Sequence, residues 1–427
     1  MNGKAISSLL TPGHIGLLET QDFENRPPGP ILEDFDVLLE LIGHEGIPVT
    51  PTHLLQLNQL HTLNSRLSQP VLLGSKRPVQ KSYPPINGLY LVLRSTGLVR
   101  IDNDKKPLLR LDPVAMESWR SLNRVERYFE LLKAWWGRSS VETIGERAGG
   151  FTDHCLYKVI GMLKDLRQAQ GVLTITQPYN AEMLKFNPGL HNLALLELFG
   201  FVRIRLLGPG VSKTWSPSEI RLTDWGDAIL GSCVDLYFKK PMSGDGLPEE
   251  VKDYDFGMIL DPLEYFEYWG RLVRPCIRGW QRELEIPDAE FQGGTHVFKV
   301  LLGKDCWRRL ALSGEHDFAL FANTILDAFD FDRDHLHMFS YKDPLGRTQN
   351  IDHQYMEYSD DPFDCDVNIG DILMHKGMTI GFLFDFGESW RFDIVVEDID
   401  ADPSIETPAI IEKHGEAPEQ YPQDDWF

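Results

Sequence analysis

The chain has 427 residues, 42% of them hydrophobic and 25% charged, and a formal net charge of −22. This is the composition of an ordinary globular protein, and the length suits two or three domains rather than one core. No apolar run reaches membrane-spanning length and no basic stretch precedes an apolar one at the N-terminus, so a cytoplasmic protein without signal peptide or membrane contact is expected.

Residues 1–30, with Gly13, Pro27, Pro28 and Pro30 and little periodicity, read as a loosely ordered arm. Ile31, Phe35, Leu38, Leu39 and Ile42 recur at three- and four-residue steps and predict an amphipathic helix. In GIPVTP, Thr50 and Pro51 read as the cap and first residue of a second helix carrying Leu54, Leu57 and Leu60. After a connection over 68–85, a helix through Leu89 and Leu93 ends at Gly97. Leu98 to Ile101 begins a strand, Asp102-Asn103-Asp104 turns, Leu108 to Leu111 returns, and Asp112-Pro113 restarts a helix. Helix, β-hairpin and restarting helix are what a winged-helix unit looks like in sequence.

The pattern recurs. A helix from Leu193 to Leu198 ends at Gly200, Phe201 to Leu206 and Ile220 to Leu222 frame a longer wing, and Thr223 caps the next helix. GLVRI aligns with GFVRI, and RLDPVAMESW with RLTDWGDAIL, which reads as a duplication. Between the copies, Val125 to Trp136 is an aromatic amphipathic helix, more a core element than a base-stacking platform, and Cys155 to Gln168 is another. The expected organisation is an arm over 1–30, winged-helix-like units over 31–138 and 139–238, and a linker and connecting segment over 239–292. Within that last segment, DPLEYFEYWG is open between strand and helix.

At about Gly293 the character changes. Residues 1–290 carry 32 Lys+Arg against 36 Asp+Glu, whereas residues 291–427 carry 10 against 28. So acidic a segment repels nucleic-acid phosphates unless a local basic patch offsets it. Thr295 to Leu302 reads as a strand, Asp317 to Phe329 as a helix, His335 to Tyr341 as a strand and Ile369 to Met374 as a short helix, with an acidic loop before the last. In TIGFLFDFGESWRFDIVVE (379–397), Phe382, Phe384 and Phe386 alternate on one strand. Trp390, Phe392, Ile394 and Val396 alternate on the next, so the stretch reads as a β-hairpin. The tail is rich in proline and acid and reads as an extended coda. The expected fold class is α+β, with two winged-helix-like helical units followed by a domain over 293–427 built on an antiparallel sheet. The five cysteines form no CxxC pair, which supports neither a zinc ribbon nor a disulfide framework.

CWRRL (306–310), NTILDAFDFDRDHLHMF (323–339), IGDIL (369–373), FLFDFGESWRFDIVVE (382–397) and HGEAPEQYP (414–422) follow in an order and spacing that resemble the plasmid pRiA4b ORF-3-like family, also described as transposon passenger or TnpR-like. The resemblance covers roughly residues 293–425. It implies an α+β domain marked by an HLHxF segment, here His335 to Phe339, and a YDFGDxW hairpin, here FDFGESW at 384–390. This chain has Phe384 for the tyrosine, Glu388 for the aspartate and Phe331 where the family usually shows a tryptophan.

Four groups of side chains are candidates for function. His335 and His337, at i and i+2 of a strand, place both imidazoles on one side and can clamp a divalent metal, with Asp385, Asp334, Asp352 or His353 as further ligands. Alternatively, one histidine is a core group and the other surface. Asp385, Glu388 and Asp393 are candidate acid–base carboxylates, although Asp385 before Gly387 equally suits a turn anchor. Arg308 and Arg309 can fork onto a carboxylate or phosphate, or tie down an internal acid such as Asp385. Lys105 and Lys106 on the first wing, with Arg94, Arg100, Arg110, Arg203, Arg205, Lys213 and Arg221 nearby, can touch DNA backbone. The favoured reading is a non-enzymatic interaction protein, nucleic-acid- or mobile-element-associated, with an unidentified protein partner and no cofactor. The alternative is a metal-dependent hydrolase or nuclease.

Overall fold

The computed structural model describes residues 10–75, 77–102, 106–146, 154–177, 182–208, 212–238, 261–286, 290–357, 359, 361–401 and 407–421. The described residues form two compact units, the first ending at Ile286 and the second taking the chain from there.

In the first unit, the apolar stripe predicted from Ile31 folds as α2 (Ile31–Ile42), preceded by α1 (Pro12–Thr20). Residues 10–30 are therefore not a loose arm. The Thr11 hydroxyl accepts the His14 N–H at 3.2 Å to cap α1, and Leu10, Leu18 and Phe23 are buried. The element lacks the periodic apolar stripe by which sequence patterns reveal a helix.

The chain continues through β1 (Ile47–Pro48), α3 (Leu57–Asn64), α4 (Pro84–Thr96), β2 (Val99–Asp102) and β3 (Leu108–Leu111), whose strands pair in the order β1-β3-β2. Next come α5 (Pro113–Ser121) and α6 (Arg124–Lys133), the latter running into a π-helical turn at Ala134–Arg138. There follow α7 (Cys155–Gln168), β4 (Val172–Thr174), α8 (Leu190–Leu198), β5 (Val202–Leu206) and β6 (Pro217–Leu222), with strand order β4-β6-β5. Both three-stranded sheets are antiparallel and place the first strand beside the last. In each, a helix (α4 or α8) leads directly into the two hairpin strands.

Those two helices pack against each other. Every residue of α4 is buried, as are seven of the nine in α8. A Cβ on Gly88 would lie 2.7 Å from Leu195 Cγ and 3.0 Å from the His191 carbonyl, so glycine is what lets the two backbones approach. The aromatic helix α6 joins this core. Trp135 Nε1 donates to Asn192 Oδ1 at 2.8 Å, Tyr128 Oη donates to the Phe199 carbonyl at 2.6 Å, and Trp225 Nε1 donates to Tyr128 Oη at 2.9 Å. The segments divided by sequence into two units thus share one hydrophobic core running from Leu10 to Leu284.

The chain then forms α9 (Asp224–Phe238) and α10 (Pro262–Val273). The ambiguous aromatic stretch is helical because Asp261 caps it, accepting from Leu263 N at 2.8 Å, and because Tyr265, Phe266, Trp269 and Val273 fall on one buried face. Residues 261–286 therefore belong to the first unit rather than to a linker, while residues 239–260 of that expected linker lie outside the described residues.

Burial of His191 on α8 makes this unit pH-sensitive. Desolvation pushes its pKa down to about 3, so the folded state holds the imidazole neutral. A depressed histidine contributes full stability above its unfolded pKa, near 6.5, and loses it as pH falls toward the folded value. The first unit should therefore weaken by up to about 1.4 kcal/mol per pH unit between roughly pH 6 and 4. Urea midpoints followed by tryptophan fluorescence should show this slope, and His191→Gln should flatten it. An equal slope in the variant would assign the effect elsewhere.

The second unit is a seven-stranded antiparallel sheet with strand order β10-β9-β11-β12-β7-β8-β13. Its strands are β7 (Thr295–Leu302), β8 (Cys306–Ser313), β9 (His337–Lys342), β10 (Thr348–Asp352), β11 (Thr379–Phe384), β12 (Trp390–Ala401) and β13 (Ala409–His414). Helix α11 (Phe318–Ala328) lies over one face, where Phe298, Phe321, Phe339, Phe382 and Phe392 form the core. The predicted hairpin is the β11–β12 pair, with Phe382 opposite Phe392 and Phe384 opposite Trp390. Phe382 and Phe384 are buried, but Phe386 falls beyond the strand and is exposed. Among the described residues, no helix of the chain is long and apolar enough to cross a membrane.

Candidate functional site

The turn between β11 and β12 is built on Asp385. Its φ is +55°, its Oδ1 accepts the N–H groups of Gly387 at 2.9 Å and Glu388 at 3.2 Å, and its carbonyl accepts Ser389 N at 2.6 Å. A short carboxylate supporting its own turn explains an aspartate in a left-handed conformation. Asp393 pairs opposite Gly381, about 13 Å along the strand from Asp385. Asp393 and Glu388 are exposed while Asp385 is buried. The three carboxylates do not converge, so this geometry offers no paired acid and base.

His335 and His337 separate as well. Strand β9 begins only at His337, so the two-residue alternation that would have aligned the imidazoles does not extend to His335. His335 lies on the surface, its Nδ1 2.9 Å from Asp334 Oδ1 and 2.9 Å from Tyr421 Oη, and its Nε2 3.8 Å from Asp385 Oδ2. Tyr421 Oη also donates to Asp334 at 3.1 Å, and Gln420 joins them, donating to Asp334 at 3.2 Å and accepting Asp332 N at 2.6 Å. The hydrogen bond to Asp334, aided by the Asp385 charge, raises the His335 pKa, and the same bond lowers that of Asp334. An imidazole set between two carboxylates favours its charged form, which can donate but cannot act as a base.

His337 points into the core instead. Its backbone carbonyl accepts His353 N at 3.1 Å, continuing the β9–β10 register in which Phe339 faces Ile351 and Met338 faces Asp352. Strand alternation then places His337 and His353 on one face and Asp352 on the other. The two rings stand 4.5 Å apart between centroids, nearly perpendicular. Asp364, from the acidic loop, brings its Oδ2 to 2.9 Å from His337 Nε2, while its Oδ1 accepts Gln354 N at 3.1 Å. His337 and Asp364 are buried and His353 is half-buried. One ligand atom from each of the three lies within 4.8 Å of the others. Burial would raise the Asp364 carboxyl pKa, but the His337 hydrogen bond and the nearby imidazoles hold it below the usual range. Desolvation and His337 lower the pKa of His353. Of the expected metal ligands, His337 and His353 meet; His335, Asp334, Asp352 and Asp385 lie apart from them.

Neither arginine of Trp307-Arg308-Arg309 pairs with Asp385. Arg308 is buried and donates to the carbonyls of Ala328 at 2.7 Å, Trp307 and His414 at 2.9 Å and Gly415 at 3.2 Å, with its guanidinium 4.6 Å from the Phe329 ring centroid. Arg309 pairs with Glu397 and Glu412. On the first wing Lys105 lies outside the described residues and Lys106 is exposed. Arg100 and Arg110 share Asp102, Arg100 also reaches Asp112, Arg221 pairs with Glu219, and Arg94 is buried within α4. Arg203, Arg205 and Lys213 are exposed. Sequence reading missed Asp364, Gln420 and Tyr421. Asp364 sits among several acids with no periodicity to single it out, whereas the EQYP motif in the tail was a usable signal.

Sheet, helix and hairpin define the second unit as an α+β domain with one antiparallel sheet. Residues 298–422 match the family model described as plasmid pRiA4b ORF-3-like protein, and this unit is a domain of that family. Residues 10–286 lie outside the match. A crystal structure of a protein of unknown function from Methanosarcina mazei Go1 is similar at 20% identity, covering 30% of this chain and 72% of that one with a TM-score of 0.26. No curated protein matches the chain.

Proposed function

We propose that this is a non-enzymatic interaction protein whose C-terminal domain takes a basic segment of a partner protein at the patch formed by Asp334, His335, Asp385 and Tyr421. One observation carries the reading: three separated family motifs meet around the exposed His335 of HLHxF, whose Nδ1 lies 2.9 Å from Tyr421 Oη of the EQYP tail and whose Nε2 lies 3.8 Å from the buried Asp385 carboxylate of the DFG turn. The carboxylates at the patch, in a segment with 28 Asp+Glu against 10 Lys+Arg, favour a cationic partner. The dispersed carboxylates Asp385, Glu388 and Asp393 supply no paired acid and base there. DNA is the less favoured partner, because α4 and α8 are buried and most wing arginines are already paired with acids.

The test is binding of a fluorescent Lys/Arg-rich peptide to the full chain at low salt. Asp334→Asn and Tyr421→Phe should each weaken it roughly fivefold or more, and binding should fall with added salt. Peptide binding unchanged in both variants would exclude this patch. Duplex DNA bound in preference to peptide, and lost on Lys106→Glu, would overturn the reading in favour of nucleic acid.

A further inference from the structure

We infer that His337, His353 and Asp364 form a binding site for a single divalent transition-metal ion of the zinc type. The inference does not depend on the peptide-docking proposal, which concerns the other histidine of the HLHxF motif.

The donor set is two imidazoles and one carboxylate, which suits borderline ions such as Zn²⁺ better than the hard, all-oxygen preference of Mg²⁺ or Ca²⁺. The geometry is fixed by the backbone. The two histidines form a cross-strand rung at the end of β9 and β10, and Asp364 is held by its N–H to the Asp352 carbonyl at 2.8 Å and by Gln354 N on its Oδ1. A hydrogen-bonded acid of this kind, with an apolar wall from Phe339 and Phe382 beside His337, is the support that orients metal ligands. A buried His–Asp pair is satisfied by itself; the strand register brings a second imidazole to 4.5 Å from the His337 ring without a hydrogen bond to the pair, and a shared cation would engage all three side chains. Three protein ligands, one of them half-buried, leave a coordination position facing outward at His353, as in sites that keep an exchangeable water.

Ligation has a structural consequence. His353 Nδ1 now accepts the Tyr355 N–H at 3.1 Å. If Nε2 takes the metal, the ring proton moves to Nδ1; if Nδ1 takes it, the lone pair is used. Either way the Tyr355 N–H loses this acceptor, and the turn after β10 must adjust.

The experiment uses the full chain without a histidine tag, stripped with EDTA and titrated with Zn²⁺ against a chromophoric chelator. One Zn²⁺ per chain is expected, with His353→Gln and Asp364→Asn weakening it by about 100-fold and His335→Gln leaving it unchanged. In ¹⁵N-tyrosine-labelled protein, Zn²⁺ should shift the Tyr355 amide signal. Should Asp364→Asn fail to fold, His353→Gln at its half-exposed position decides the matter, with far-UV circular dichroism confirming structure. Binding well below one equivalent, binding retained in His353→Gln, an equal loss in His335→Gln, or an unmoved Tyr355 amide would each overturn the site.

Discussion

Arg308→Met is expected to destabilise the C-terminal unit by roughly 2–3 kcal/mol, the scale for carbonyl acceptors losing a charged donor. Methionine matches much of the side-chain volume, so the loss measures donors rather than packing. Arg308 serves carbonyls on three segments: its own strand β8, the end of α11, and the turn after β13. Without it the buried Ala328 carbonyl and the part-buried carbonyls of Trp307, His414 and Gly415 lose a charged donor, and the turn after β13 loses a side-chain tie to β8. Arg308→Lys should recover part of the stability, since a lysine keeps the charge but not the planar fork. Urea unfolding of the full chain, with the transition of this unit resolved, provides the measurement. A change below about 1 kcal/mol would remove Arg308 as the anchor.

Gly200→Ala should be at least as damaging to the first unit. Gly200 has φ +78°, and a Cβ there would lie 2.1 Å from the Pro28 carbonyl oxygen and 2.3 Å from its carbon. The reciprocal position is equally tight, with a Cβ on Gly29 falling 2.4 Å from Gly200 N. Backbone meets backbone here, so no side chain can swing away to make room. Left-handed strain of roughly 1–2 kcal/mol adds to an overpacking cost of typically 1–3 kcal/mol. Together they predict a thermal midpoint many degrees lower and faster amide exchange in α8. A variant as stable as the parent would show that the Pro28–Gly200 approach is not a feature of the folded protein.

Much of the fold was legible because its signals are local. Gly97 and Gly200 end their helices with left-handed conformations or the turn just beyond, and the apolar–polar alternation of 379–397 fixes a hairpin whose register follows from its length. The family motifs located the second unit for the same reason. What could not be read was anything decided by long-range packing. That α4 and α8 face each other depends on Gly88 and Leu195, more than a hundred residues apart, and neither residue type announces the contact. The candidate sites show the same divide. A dipeptide spacing suggested that His335 and His337 act together, yet the start of β9 between them sends one outward and one inward. Asp364 reaches His337 only through a loop whose course no periodicity describes. The Asp385 turn was legible, since aspartate two residues before a glycine is local chemistry.

The outer strands of the seven-stranded sheet carry a further implication for how this domain behaves in a crowded solution. An unpaired strand rim is a template on which another chain can add itself. At one rim, β13 is short, shifts register between Ile410 and Glu412, and presents Glu412 and Lys413 outward. At the other, Asp352 of β10 is bridged by Phe363 and donates its N–H to the Pro362 carbonyl, so part of that rim is covered by the chain's own loop. Irregularity, charge and self-coverage all disfavour sheet-to-sheet association. The late-added strand β13 thus occupies the backbone groups of β8, from Trp307 to Ala311, that would otherwise be open to a neighbouring molecule.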